Sequence, residues 1–233
     1  TVHNIALPDD TPVRLWILRR IDAHTDYRIV LNTTTPLPEG TPHSLILHGH
    51  YRDWYAPYPH ADRVPGRLCT FGGIRRYKGM ETFIDAYAAA VAHEPMLTLR
   101  GGGRPTTPEL GQELTARSAH LPGVTLHLDF LSDAELVEIV TSSEITVLAY
   151  RLTHNPGSVP AALSPDRPVP VPRNAANAAL AAQVGAEWVI MYADELDGAQ
   201  LPAAWRAPAR LPGPPQPVRT QWARARLAYA ASL

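Results

Sequence analysis

The chain has 233 residues, a formal net charge of −1 and one cysteine, Cys69. That length holds one large or two small domains with a substantial core, and the near-zero charge removes the electrostatic case for a nucleic-acid partner. A lone cysteine excludes an internal disulfide and fits a reducing compartment, and no run reaches the roughly 18 apolar residues that a membrane span needs.

Thr1-Val2-His3-Asn4 reads as the tail of a strand entering a loop, so neighbouring strands of the same sheet are expected from chain ahead of it. Pro12–Ile21 reads as a helix with Leu15 and Leu18 on one face; Arg14, Arg19 and Arg20 read as a solvated charged face rather than a lipid contact. Tyr27–Leu31 and Ser44–Leu47 are short apolar strands. His48-Gly49-His50 and the proline-bearing stretch to Pro65 read as a polar linker, not a metal pair.

From Gly66 onward, short apolar runs alternate with helical periodicity. Strands are expected at Leu68–Phe71, Met96–Leu99, Val124–Leu128, Ile145–Ala149, Val169–Val171 and Trp188–Met191. The first intervening helix carries Met80, Phe83, Ile84, Tyr87 and Val91 on one stripe. Thr107-Pro108 opens a helix with Leu110 and Leu114, and Ser132 with Glu135 forms a capping box. Ser158 precedes a short helix to Leu163, and Asn174 caps one that Gly185 ends. Leu201–Pro217 is proline-rich and reads as a surface wrap; Arg219–Leu233 reads as a terminal helix. The alternation predicts a doubly wound parallel α/β domain.

Ligands of such sheets bind beyond the carboxyl ends of the strands. Loops with unusual residues follow there: Gly72–Gly79, Gly101–Arg104, Tyr150–Ser158 and Pro172–Asn174. The first contains Lys78, the only lysine in the chain, where every other cation of this type is an arginine. A compact ammonium beside a glycine-rich turn at a helix start suits a phosphate. Arg75 stands beside it, and Asn155, Gly157 and Ser158 would face the same anion from the opposite wall. The glycines 101–103 read as a permissive turn after a strand. Cys69 reads as a buried structural thiol.

Phe71-Gly72-Gly73-Ile74-Arg75-Arg76-Tyr77-Lys78-Gly79 resembles the first βα unit of the nucleotide-binding half of GT-B glycosyltransferases, the family 4-like bacterial enzymes in particular. Ser132–Leu136, Ile145–Tyr150, Gly157-Ser158, Arg167-Pro168-Val169 and Gly185–Val189 are similar to the rest of that half. The resemblance implies a GT-B type α/β fold: a Rossmann-like nucleotide-sugar domain over 63–212, part of an acceptor-side Rossmann-like domain and linker over 1–62, and a helix over 213–233 crossing back. It implies transfer of a sugar from GDP-mannose or a UDP-sugar to a glycan or glycolipid, with no cofactor and no catalytic metal. Gly73, Arg75, Lys78, Asn155, Gly157 and Ser158 would then hold the donor, and His3 would stand near the transferred sugar. A cytoplasmic location is implied, with peripheral contact at the inner membrane face left open.

This sequence departs from the family pattern at two glutamates. Aligned on Gly157 their positions hold His154 and Ala162; aligned on Arg167-Pro168 they hold Thr153 and Ala161. Gly73 stands where an arginine is usual, with Arg75 as its substitute. The alternative reading is therefore a truncated, non-catalytic protein that binds nucleotide sugars or a partner.

Overall fold

The computed structural model describes residues 11–46, 48–151 and 157–210. His3, Leu47, Asn155 and the expected helix over 213–233 lie outside the described residues.

Helix α1 (Pro12–Ala23) starts at Thr11, whose hydroxyl accepts from the Arg14 amide at 3.3 Å. It has no fully buried side chain: Leu15 and Leu18 are half-buried, while Val13, Trp16, Ile17 and Ile21 are exposed. Strands β1 (Arg28–Val30) and β2 (His43–Leu45) form a parallel pair with Arg28 opposite His43. The expected linker contains one helical turn, α2 (Arg52–Tyr55), which buries Tyr55.

The remaining elements alternate along the chain. They are β3 (Arg67–Phe71), α3 (Met80–Val91), β4 (Thr98–Gly102), α4 (Pro108–Ser118), β5 (Val124–His127), α5 (Asp133–Thr141), β6 (Ile145–Thr146), α6 (Ser158–Leu163), β7 (Val169–Pro172), α7 (Ala175–Val184), β8 (Val189–Tyr192) and α8 (Gln200–Arg206). The strands pair in parallel in the orders β5-β4-β3-β6 and β7-β8.

Prolines explain why the sheet reads as two pieces. Carbonyls of Pro168 and Pro170 accept from the amides of Thr146 (2.9 Å) and Leu148 (3.0 Å). Lacking N–H groups, the same prolines return no bond, so β6 and β7 are stitched from one side only. Across that half-ladder the order is β5-β4-β3-β6-β7-β8, which is doubly wound about the boundary between β3 and β6.

Side chains alternate between two faces, as period-2 strands require. Leu68, Val147 and Ala149 pack with Phe83, Tyr87 and Leu201 of α3 and α8; Cys69, Leu148 and Tyr150 pack with Val140, Val159, Ala162 and Val184 on the other side. The predicted stripe on α3 is buried throughout: Phe83, Ile84 and Tyr87 are each at most 1% exposed.

Two expectations need correction. Gly101 and Gly102 lie inside β4 rather than in a turn, because a Cβ at 101 would meet Met80 at 2.6 Å and one at 102 would meet Leu131 at 2.7 Å. The proline-rich stretch begins not as a surface wrap but as α8, with Leu201 fully buried and Pro202 in the first turn, where its missing N–H costs nothing. Among the described residues no helix is long and apolar enough to cross a membrane.

Candidate functional site

The segment after β3 is tied to its neighbours on both sides. Toward β4, the Gly72 amide donates to the Gly102 carbonyl (3.0 Å), and the Ile74 amide donates to Arg104 (2.9 Å). Gly103, at φ +147, makes the close approach possible: a Cβ there would sit 2.0 Å from the Gly72 carbonyl oxygen. Toward β6, the Arg151 amide donates to the Tyr77 carbonyl at 2.8 Å. Gly79, at φ +63, caps α3 with its backbone against the Ala149 carbonyl, where a Cβ would be 2.0 Å from the oxygen. Lys78 is thereby held at the carboxyl ends of β3 and β6.

Those two strand ends border a shallow, solvent-open cleft lined by Thr70, Phe71, Gly72, Gly73, Ile74, Lys78, Met80, Gly102 and Tyr150. It lies where the strand order reverses, which is where doubly wound sheets open a crevice for ligands.

The Lys78 ammonium stands 5.3 Å from the centre of the Tyr150 ring. Its pKa lies below the ordinary lysine value of 10.5, first because burial strips water from it and second because Arg75 is near. No carboxylate among the described residues pairs with it. The neighbouring Arg76 differs: it is bound to Glu81 (3.1 Å) and Glu113 (2.9 Å), so it braces α3 against α4. Arg75 is exposed and extended, at φ −134, ahead of a 3₁₀ turn over Arg76–Lys78. Gly73 lines the cleft with open space around its Cβ position.

Tyr150 joins the two walls. Its ring is 7% exposed, its hydroxyl donates to Ser158 Oγ at 2.7 Å, and burial pushes its pKa up to about 12. Ser158 is therefore not a helix cap; Gly157 holds the N-cap position, in ordinary helical conformation and without a side-chain cap bond. The structure thus brings Gly73, Lys78 and Tyr150 to one cleft and links Ser158 to it through Tyr150. His3 and Asn155 are outside the described residues.

Sequence reasoning missed two participants. Tyr150 closes a strand-like run and carried no signal beyond being an aromatic at a strand end. His48, read as linker, packs its ring against Gly157, more than a hundred residues away in the chain. Among the described residues no group of three or more His, Cys, Asp or Glu is placed to hold a metal ion.

No protein-family profile matches the chain. It is 39% identical over 221 residues to a GDP-mannose:glycolipid 4-beta-D-mannosyltransferase of Xanthomonas campestris pv. campestris, covering 90% of this chain. The chain spans 61% of that relative's length. Among solved structures it superposes on Anabaena HepE in complex with UDP-glucose with a TM-score of 0.65 at 14% identity, over 87% of this chain and 60% of that one. On WaaG, a glycosyltransferase involved in lipopolysaccharide biosynthesis, the TM-score is 0.59 at 15% identity, over 95% and 63%. The strand order, the switch-point cleft and these likenesses together give the chain the GT-B glycosyltransferase fold.

Proposed function

We propose that the chain supplies the donor site of a nucleotide-sugar-dependent hexosyltransferase acting on a glycolipid or glycan. By likeness to the Xanthomonas relative the donor is GDP-mannose, with a UDP-sugar as the competing choice. Residues 63–212 form the donor-binding unit. Lys78 and Arg75 neutralise the diphosphate, Gly73 leaves room for it and Ser158 offers a hydroxyl from the other wall. Gly157 is assigned to the same donor contact; Asn155 as a further donor-binding residue and His3 as the residue acting on the transferred sugar are proposed from the family resemblance alone. In the reaction an acceptor hydroxyl oxygen bonds to the anomeric carbon as the bond from that carbon to the diphosphate oxygen breaks, and the hydroxyl proton leaves with the departing diphosphate. The charge that develops on the leaving diphosphate is met by the two cations, which are positioned before the reaction begins.

The observation that carries this reading is Lys78: a desolvated ammonium without a carboxylate partner among the described residues, at the switch point of a parallel sheet. Such a group is poised for an anionic ligand. A thermal-shift series with GDP, UDP and their sugars tests it, since a ligand of the folded state raises the melting temperature. At least one nucleoside diphosphate is expected to raise it in the wild type and none in Lys78→Ala; no shift with any of them rules the donor site out. Turnover is expected to survive EDTA, because side-chain cations take the part of a metal. The site belongs in the cytoplasm, in peripheral contact with the membrane that holds a glycolipid acceptor.

A binding-only role is the second reading. It is favoured by α6, where the apolar, buried Ala161 and Ala162 occupy the candidate positions of a family glutamate. Nucleotide binding without sugar transfer to any lipid extract would select it.

A further inference from the structure

Gly157 is a glycine that its backbone does not require. At φ −56 and ψ −22 it sits in the helical region open to every residue. A Cβ there would instead meet a side chain: His48 Nε2 at 2.8 Å, with Cε1 at 3.4 Å and Cδ2 at 3.5 Å. The three nearest atoms to that position all belong to the imidazole, so the missing side chain at 157 makes room for His48.

The contact joins two strand edges. His48 follows β2 and so stands beyond the carboxyl end of the β1–β2 pair, while Gly157 follows the carboxyl end of β6. Both edges are of the kind where parallel sheets receive ligands. The segment bearing His48 is clamped to α6 and the turn after it. The Tyr51 amide donates to Ser164 Oγ at 2.8 Å, and Arg52 Nη2 donates to Asp166 at 2.8 Å. The Tyr51 ring lies 5.8 Å from the imidazole and is stacked on Tyr55 at 5.6 Å. His48 is thus held in place before any ligand arrives. Beside Gly157, Ser158 receives the Tyr150 hydroxyl, and the Tyr150 ring carries Lys78. A chain of contacts thus runs from His48 through Gly157 and its neighbour Ser158 to Tyr150 and Lys78, the last two of which line the cleft.

The His48 ring contacts the Gly49 carbonyl through Nδ1 (3.4 Å) and the Tyr51 hydroxyl through Nε2 (3.5 Å), both long contacts that a stronger acceptor displaces. We infer that His48 is a donor-contacting residue, whose imidazole exchanges one of these contacts for an N–H bond to a diphosphate oxygen of the bound nucleotide sugar, and that Gly157 is small in order to admit it. The inference rests on the donor-site reading above. Isothermal titration of the full chain with GDP and with UDP tests both and separates them. If the wild type binds neither nucleotide, the donor-site reading fails and this one with it. If the wild type binds, His48→Ala is expected to weaken binding roughly tenfold, the scale of one hydrogen bond to a charged group, and His48→Gln, which keeps a donor, to recover most of it. Gly157→Ala is expected to weaken binding in the wild-type background by displacing the ring, yet to do nothing further in His48→Ala, where there is no ring to displace. Unchanged affinity in His48→Ala and His48→Gln, or a Gly157→Ala effect of equal size in both backgrounds, overturns the inference while leaving the donor site standing. Should His48→Ala fail to fold, the same comparison is made with Gly157→Ala in the His48→Gln background.

Discussion

Lys78 gives up water without gaining a carboxylate among the described residues, and that imbalance has consequences of opposite sign for stability and binding. Its folded-state pKa is depressed, so between that value and 10.5 the unfolded chain binds more protons than the folded one, and this residue's contribution to stability rises with pH across the window. An anionic ligand needs the ammonium, so nucleotide affinity falls as pH rises through the same depressed value. Calorimetric titration at a series of alkaline pH values should show that fall in the wild type and none of it in Lys78→Met. The same variant should melt no earlier than the wild type without ligand, since it removes a desolvated charge, and should lose the nucleotide-dependent shift. Gly79 is held to its identity by geometry: an alanine would combine a φ of +63 with a carbonyl 2.0 Å from its Cβ. Gly79→Ala should cost at least about 2 kcal/mol in urea denaturation. Lys78 was legible as the chain's sole lysine in a glycine-rich turn. His48 was not, because nothing local marks a histidine whose partner is brought to it by the fold.

Helices with side-chain caps were the easiest elements to read. The box at α5 is present as its sequence spells it: Ser132 Oγ accepts from the Glu135 amide at 3.3 Å, and Glu135 accepts from the Ser132 amide at 2.8 Å. Ser132→Ala should therefore cost about 1 kcal/mol of unfolding free energy. The other end of α5 was invisible. Arg167, 9% exposed, donates to the carbonyls of Thr141 (2.5 Å) and Ser143 (2.6 Å), and also to Asp166 (2.8 Å), so a cation closes the negative end of the helix. Arg167→Met strands those carbonyls in the interior and should destabilise by roughly 2–4 kcal/mol in urea melts, without changing nucleotide affinity per folded molecule. In the sequence Arg167 belonged to a resemblance string and its task could not be seen, because it depends on carbonyls of another element. Strand β4 misled for a related reason. Its glycines signal a turn locally, but they are set by Met80, Leu126, Leu131 and Ile139 crowding the sheet face.

At the scale of the whole molecule, alternation of strands and helices revealed the α/β class, but strand order is a property of pairing that periodicity does not encode. The observed order puts β3 beside β6, and it is this adjacency that brings the Lys78 turn against Tyr150 and, through Tyr150, to Ser158. The cleft is thus a consequence of topology more than of any one motif. Its occupant can be detected with a single signal, because Lys78 is the only lysine in the chain. Labelling lysine with ¹³Cε and ¹⁵Nζ gives one side-chain resonance to follow by NMR while GDP or UDP is added across a pH series. A diphosphate beside the ammonium shifts that resonance and raises its titration midpoint from below 10.5 back toward or above it. A resonance whose position and midpoint are unmoved by saturating concentrations of both nucleotides would contradict a donor site at this cleft.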